Sequence, residues 1–211
     1  MFERFRATFA VRRDQPAAAG TPWADPALVR IEGYGEFSAE FAGASFFGGL
    51  YRVHGERSGP IATALIAEAF PEFAARVFPF GFDWLGRQFA VDLARVVEGN
   101  PQVLLLEPCS GEVLEIPASF VEFHDDVLVT NSEAALALSA FRDWAAANPL
   151  SIPLARDQCV GYIVPLFLGG QDGPENFEVT DFEVYWSICA QLRAAVAGLA
   201  EGTVITEVTI E

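Results

Sequence analysis

The chain has 211 residues, 52% of them hydrophobic and 20% charged, so it carries the apolar area a packed core needs and is neither disordered nor of low complexity. Its 13 basic residues, all arginine, face 29 acidic ones, for a net charge of -16. That balance excludes the broad basic face of a nucleic-acid binder, and the lack of lysine excludes a P-loop lysine and Schiff-base chemistry.

The excess charge is localised. Residues 1–60 hold seven Arg and seven acids, whereas residues 61–211 hold six Arg and 22 acids. A field of that sign attracts cationic partners and speeds their encounter. The longest apolar stretch, Cys159 to Gly170, is too short to span a membrane and contains Pro165. The opening MFERFRATFAVRR is charged throughout and lacks the apolar run of a signal peptide, which predicts a cytoplasmic location. Cys109, Cys159 and Cys189 are odd in number, far apart and free of CxxC spacing, as expected of reduced, buried thiols.

In chain order, residues 14–26, with three prolines, read as an irregular lead-in. From Ile31 to His54, Tyr34, Phe37, Phe41, Phe46, Phe47 and Tyr51 lie among glycines at 33, 35, 43, 48 and 49, a composition that predicts short strands and tight turns packed on a helix. That helix is expected over Ile61 to Phe70, with Ile61, Leu65, Ile66 and Ala69 on one side, and Pro71 opens a short turn ending near Val77. From Trp84 to Pro117 the period becomes two: Phe89, Val91 and Leu93 alternate with Gln88, Ala90 and Asp92. Two further apolar runs flank Cys109-Ser110-Gly111, giving an antiparallel meander of about three strands.

Ser119 and Glu122 form a capping-box pattern that starts a short helix at Phe120. A longer helix is expected from Glu133 to about Ala147, burying Leu136, Phe141 and Trp144 until Pro149 stops it. Cys159 to Leu168 reads as a buried strand interrupted at Pro165, followed by a loop from Gly169 to Pro174. Thr180 and Glu183 suggest a second capping box. Behind it Phe182, Tyr185, Cys189, Leu192, Val196 and Leu199 recur every three or four residues as one apolar helix face, with Gly202 as breaker and Thr203 to Ile210 as a last strand. The fold expected is α+β: an antiparallel meander with packed helices, in two closely associated subdomains, 1–80 and 81–211, with composition shifting near residues 78–83.

Candidate chemistry is sparse. His54 and His124 are the only histidines, which excludes multi-histidine metal sites. Glu122, His124, Asp125 and Asp126 could hold a divalent cation for a hydrolase. They are nearly consecutive rather than spaced at i, i+4, and they share a short helix with Phe123 and Val127, so a solvated helix face is the stronger reading. No G-x-S-x-G elbow occurs, and the cysteines lie in apolar runs or between acidic strands, where a thiol is a poor nucleophile. The Gly169-Gly170 loop lacks a phosphate-binding context and is followed by acids that repel anions. No catalytic, cofactor or metal residue is therefore assigned. Between Asp157 and Ala190 six acids occur with no arginine, interleaved with Phe177, Phe182, Tyr185 and Trp186, a composition suited to a surface for a basic protein.

The block CVGYIVPLFLGGQDGPENFEVTDFEVYWSICAQL, from Cys159 to Leu192, resembles the C-terminal domain of type VI secretion DNase immunity proteins. The shared pattern is GYxxPLFLGGxD, then NxE, a D-x-EVYW helix and QL. FGFDWLGRQFAVD, VLLLEP and GEVLEIP resemble the same proteins. EGYGEFSAEFAGASFFGGLYRVH resembles part of their GAD-like N-terminal domain, and the meander followed by IPASFVEF is similar to the SUKH immunity superfamily. The resemblance implies a cytoplasmic antitoxin with no enzymatic activity and no cofactor, whose partner is a secreted nuclease and which contacts neither nucleic acid nor membrane directly. Combined with the charge pattern, it points to Asp172, Glu175, Glu178, Asp181 and Glu183, with Tyr185 and Trp186, as contact residues that cover a cationic cleft. A metal-dependent hydrolase, or a scaffold without a toxin partner, are the other readings.

Overall fold

Side-chain alternation on the central strands organises the molecule. The computed structural model describes residues 1–10 and 20–199. Strands β1 (Ser45–Phe46), β2 (Tyr51–Val53), β3 (Val77–Asp83), β4 (Gln88–Val97), β5 (Asn100–Leu106) and β6 (Val113–Ser119) form one sheet in sequential order. Every neighbouring pair is antiparallel. Successive residues on a strand point to opposite faces. Phe89, Val91, Val103 and Leu105 enter one core and Ala90, Leu104 and Leu106 the other, while a bulge between Pro79 and Gly81 sends Phe80 to the first core and Phe82 to the second.

The first core is aromatic. Phe2 and Phe5 of the segment around α1 (Glu3–Thr8), Phe37 and Phe41 of α2 (Tyr34–Phe41), and Phe120 and Phe123 close over it. The second is covered by Leu65 and Ile66 of α3 (Ser58–Ala69) and by Tyr185 and Trp186 of α8 (Phe182–Val196). Because helices cover both faces, Gln88 and Asp92 are buried, and the half-exposed alternation expected of β4 is absent from its first five residues. Leu93, expected inside, is exposed where the strand leaves the core.

Several local expectations are corrected. The segment expected to form only strands and turns contains helix α2, because Tyr34, Phe37 and Phe41 recur at three and four residues, the helical period; strands begin only after Gly43. β3 passes through residues 78–83, where composition shifts, and pairs with β2 on one side and β4 on the other. Gly81 is required there, since a Cβ would lie 2.6 Å from the Tyr51 hydroxyl and 2.8 Å from the Arg52 carbonyl.

The helix expected over 133–147 is two, α6 (Ser132–Leu136) and α7 (Leu138–Ala147), separated by Ala137 at φ 49°. At the break the Ala135 carbonyl accepts from Arg87 Nη2 and the Leu136 carbonyl from Trp84 Nε1. Leu136, Phe141 and Trp144 are buried as expected. The Ser119–Glu122 capping box is formed, and α4 (Phe120–Glu122) continues through a π-helical turn, Phe123–Val127, into α5 (Leu128–Thr130).

In the last third, the buried strand is shorter than expected. β7 (Gln158–Tyr162) ends before Ile163, which is 54% exposed, and Leu166–Leu168 is a single 3-10 turn. β7 pairs with β8 (Phe177–Asp181), a strand not anticipated from sequence. The cap of α8 is Asp181 rather than Thr180: its Oδ1 accepts from Val184 N at 2.9 Å. The apolar face of α8 is fully buried only through Ala190, and Leu199 lies exposed beyond its end. The expected breaker Gly202 and strand Thr203 to Ile210 fall outside the described residues.

Candidate functional site

The β7–β8 hairpin, the loop joining its strands and the first turn of α8 carry the acids of residues 172–183, spread from the loop end of the hairpin to the start of α8, whose inner face packs on the second core. Asp172, Glu175, Glu178, Asp181 and Glu183 are all exposed. Asp172 accepts from the Tyr162 hydroxyl at 2.8 Å; burial, reinforced by this carboxylate, raises the Tyr162 phenol pKa. Glu175 lies on the 3-10 turn Pro174–Asn176, Glu178 on β8 opposite Gly161, and Asp181 and Glu183 at the positive end of α8, where carboxylates are favoured. None of the five is within ion-pair distance of a cation among the described residues. Their charge is therefore uncompensated and open to a partner.

Tyr185 and Trp186 do not belong to that surface. Trp186 is fully buried and donates from Nε1 to the Gly86 carbonyl at 2.8 Å, while the Tyr185 hydroxyl accepts from Tyr162 N at 3.3 Å. Helical geometry turns both inwards, because the positions bracketing Phe182 and Cys189 share one face. A Cβ on Gly161 would meet the Tyr185 ring at 2.5 Å, so glycine there seats the tyrosine. The exposed apolar side chains near the acids are aliphatic: Val179 on β8, and Val184 and Ile188 on the outer side of α8, with Val184 52% exposed.

Much of the motif seen in sequence is scaffolding. The buried Asn176 accepts from Val164 N at 2.8 Å and donates to the carbonyls of Val164 and Gln171, stapling the loop shut. These bonds satisfy polar groups that would otherwise be costly to bury.

The residues considered for a metal are occupied structurally. His124 Nδ1 lies 2.8 Å from the Phe120 carbonyl, which can only accept, so Nδ1 carries the proton and Nε2 accepts from the Tyr51 hydroxyl at 2.8 Å. Burial lowers its pKa to about 3, keeping the ring neutral. Asp125 accepts from Phe5 N, Asp126 pairs with Arg4 and Glu122 closes its capping box. Among the described residues no group of three or more His, Cys, Asp or Glu is placed to hold a metal ion.

One feature escaped sequence reasoning. A cavity of about 480 Å³ opens between the start of α3, strand β2 and the junction of β7 and α8, lined by Arg52, His54, Ser58, Ile61, Phe82 and Phe182 among others. Inside it Ser58 Oγ lies 3.1 Å from His54 Nδ1, and His54 Nε2 lies 2.8 Å from Gln88 Oε1. The order serine, histidine, amide superficially matches a nucleophile with its base. Burial lowers the His54 pKa to about 4, Arg52 further disfavours an imidazolium, and a neutral amide stands where a carboxylate would stabilise it, so the histidine is a weak base. The residues were visible in sequence; no spacing rule linked His54 to Gln88, which β-pairing brings together.

The architecture defines an α+β protein in which an antiparallel sheet is covered by helices on both faces and a C-terminal hairpin and helix present an acidic surface. Residues 147–193, which carry that surface, match the family model described as "T6SS immunity protein Tdi1, C-terminal". By structure the chain is similar to Atu4351 from Agrobacterium tumefaciens, with a TM-score of 0.59 and 19% identity, covering 90% of this chain and 89% of that one, a likeness of fold. No curated protein matches the chain by sequence. No helix among the described residues is long and apolar enough to cross a membrane.

Proposed function

We propose that this chain is a type VI secretion immunity protein: it binds a cognate toxin, taken to be a secreted nuclease, and blocks it without making or breaking a bond. The observation that carries this reading is the match of residues 147–193 to an immunity-protein family over the segment that builds the uncompensated acidic surface. A nuclease must present a cationic cleft to hold phosphates, so a dense carboxylate surface would steer towards it and exclude substrate. Asp172, Glu175, Glu178, Asp181 and Glu183 are the proposed contacts, with Val179, Val184 and Ile188 replacing the buried aromatics as apolar anchors. The setting is the cytoplasm of the producing cell. The subdomains 1–80 and 81–211 are part of the same proposal, with the acids in the second.

The test is co-purification with the protein encoded beside this gene, followed by DNA degradation by that protein with and without the chain. The expected result is a stable complex and suppressed degradation. Undiminished cleavage in the presence of excess chain would refute the reading. Charge reversal at Glu175 and Glu178 is expected to weaken the complex and flatten the dependence of its affinity on salt.

A further inference from the structure

We infer that the cavity beside the acidic surface is a receptor pocket for an apolar side chain on a protruding segment of the toxin, one that carries a basic residue next to that side chain. The inference rests on the proposed immunity function and deepens it.

The interior of the pocket is π-rich. Phe82 forms its floor, with the Arg52 guanidinium 4.2 Å from the ring centroid, the His54 ring stacked at 4.9 Å and 19°, and Phe182 at 4.8 Å. Most of the polar groups inside are already hydrogen-bonded, to one another or to backbone carbonyls. Arg52 donates to the carbonyls of Asp83, Ala155 and Gln158. His54 uses both nitrogens, and Ser58 Oγ also accepts from Gly55 N. A small-molecule site orients its ligand with polar groups converging inside. Here the Arg52 Nη atoms, both His54 nitrogens and Ser58 Oγ are engaged, Gln88 Nε2 is buried without a hydrogen-bond partner among the described residues, and the greater part of the inner lining is apolar. Ile61 illustrates this: sequence periodicity places it on the buried side of α3, yet it is left 37% exposed on the pocket wall.

The charges stand at the mouth. Arg57, Arg156, Glu56, Asp157 and Glu183 all line the pocket and are exposed, and none of them forms an ion pair within 4 Å among the described residues. Elsewhere Arg4, Arg6, Arg76, Arg87 and Arg95 are each held by a carboxylate. An apolar pit ringed by solvated charge is how a hot-spot pocket in a protein interface is built: the pit takes one anchoring side chain and the ring excludes water. Continuity selects the occupant. Glu183 belongs both to the acidic surface and to the pocket, and Phe182 joins the two. A basic segment steered to that surface therefore reaches the mouth, where Asp157 and Glu183 receive its charge.

The experiment places Ile61→Trp in the full chain, which fills the pit without altering any charge, and measures affinity for the protein encoded beside this gene. At least a tenfold loss is expected, with an unchanged melting temperature and an unchanged salt dependence. As a second readout, a photo-crosslinking amino acid at position 61 is expected to capture one toxin peptide containing an apolar residue beside Arg or Lys. Wild-type binding by Ile61→Trp, or no crosslink within a complex that still forms, would overturn the pocket while leaving the immunity function standing. If the wild-type chain forms no complex, the immunity reading itself fails. Saturable binding of free phenylalanine that does not compete with the toxin would assign the cavity to a small molecule and also overturn the inference.

Discussion

Glu107 provides the sharpest physical test of the structure. It follows β5, is buried, and accepts from Cys109 N at 3.1 Å through Oε1. Burial raises its pKa from 4.5 to about 8; Arg87 pulls it down, while Asp83 and Asp172 push it up. An unfolded chain releases this proton near pH 4.5 and the folded chain only near pH 8. Between those values the folded state binds more protons, so its stability must fall as pH rises. Integrating that difference from pH 6 to pH 9 gives a loss of about 2 to 3 kcal/mol from this carboxyl. Glu107→Gln keeps the acceptor for Cys109 N and mimics the protonated form. Urea unfolding of both proteins is expected to give stabilities that converge below about pH 4.5, with the variant the more stable by about 2 kcal/mol at pH 6 and the gap widening by a further ~2 to 3 kcal/mol at pH 9. Taking the difference between the two proteins cancels the other titrating groups. Parallel curves would refute the burial of an uncharged acid at this position.

His124 acts in the opposite direction. Its folded pKa of about 3 lies below the unfolded value of 6.5, so its contribution is lost as pH falls, by about 2 kcal/mol at pH 5, and His124→Phe is expected to flatten the acid limb of the unfolding profile. Trp186→Ala should cost about 3–5 kcal/mol, seen as a marked drop in melting temperature, because it empties the second core and strands the Gly86 carbonyl; a change within error would mean that α8 does not pack there. Asp181→Ala should lose about 1 kcal/mol of stability with the cap, whereas Asp181→Asn should retain the cap and lose only the charge. Toxin affinity that falls equally in both variants would trace the effect to charge, and affinity preserved in Asp181→Asn would remove this carboxylate from the interface.

The amino-acid order by itself determined what depends on neighbours within a few residues. The Ser119 box, the hairpin turn near Gly111, helix α3 and the inward stripe of α8 all follow from backbone periodicity and local hydrogen-bond chemistry. The acidic surface was also legible, since six carboxylates between Asp157 and Ala190 with no arginine among them have no cation close in sequence to neutralise them. The tertiary structure settled the conflict between two signals at Tyr185 and Trp186, the helical period pointing inward and the neighbouring acids outward: both turn to the sheet, while Val184 and Ile188 face solvent. The break at Ala137 depends on Trp84 and Arg87, about fifty residues away, taking the carbonyls beside it. The pocket is a non-local object as well, made where α3, β2 and the start of α8 meet, and short-range patterning carries no signal for such a meeting.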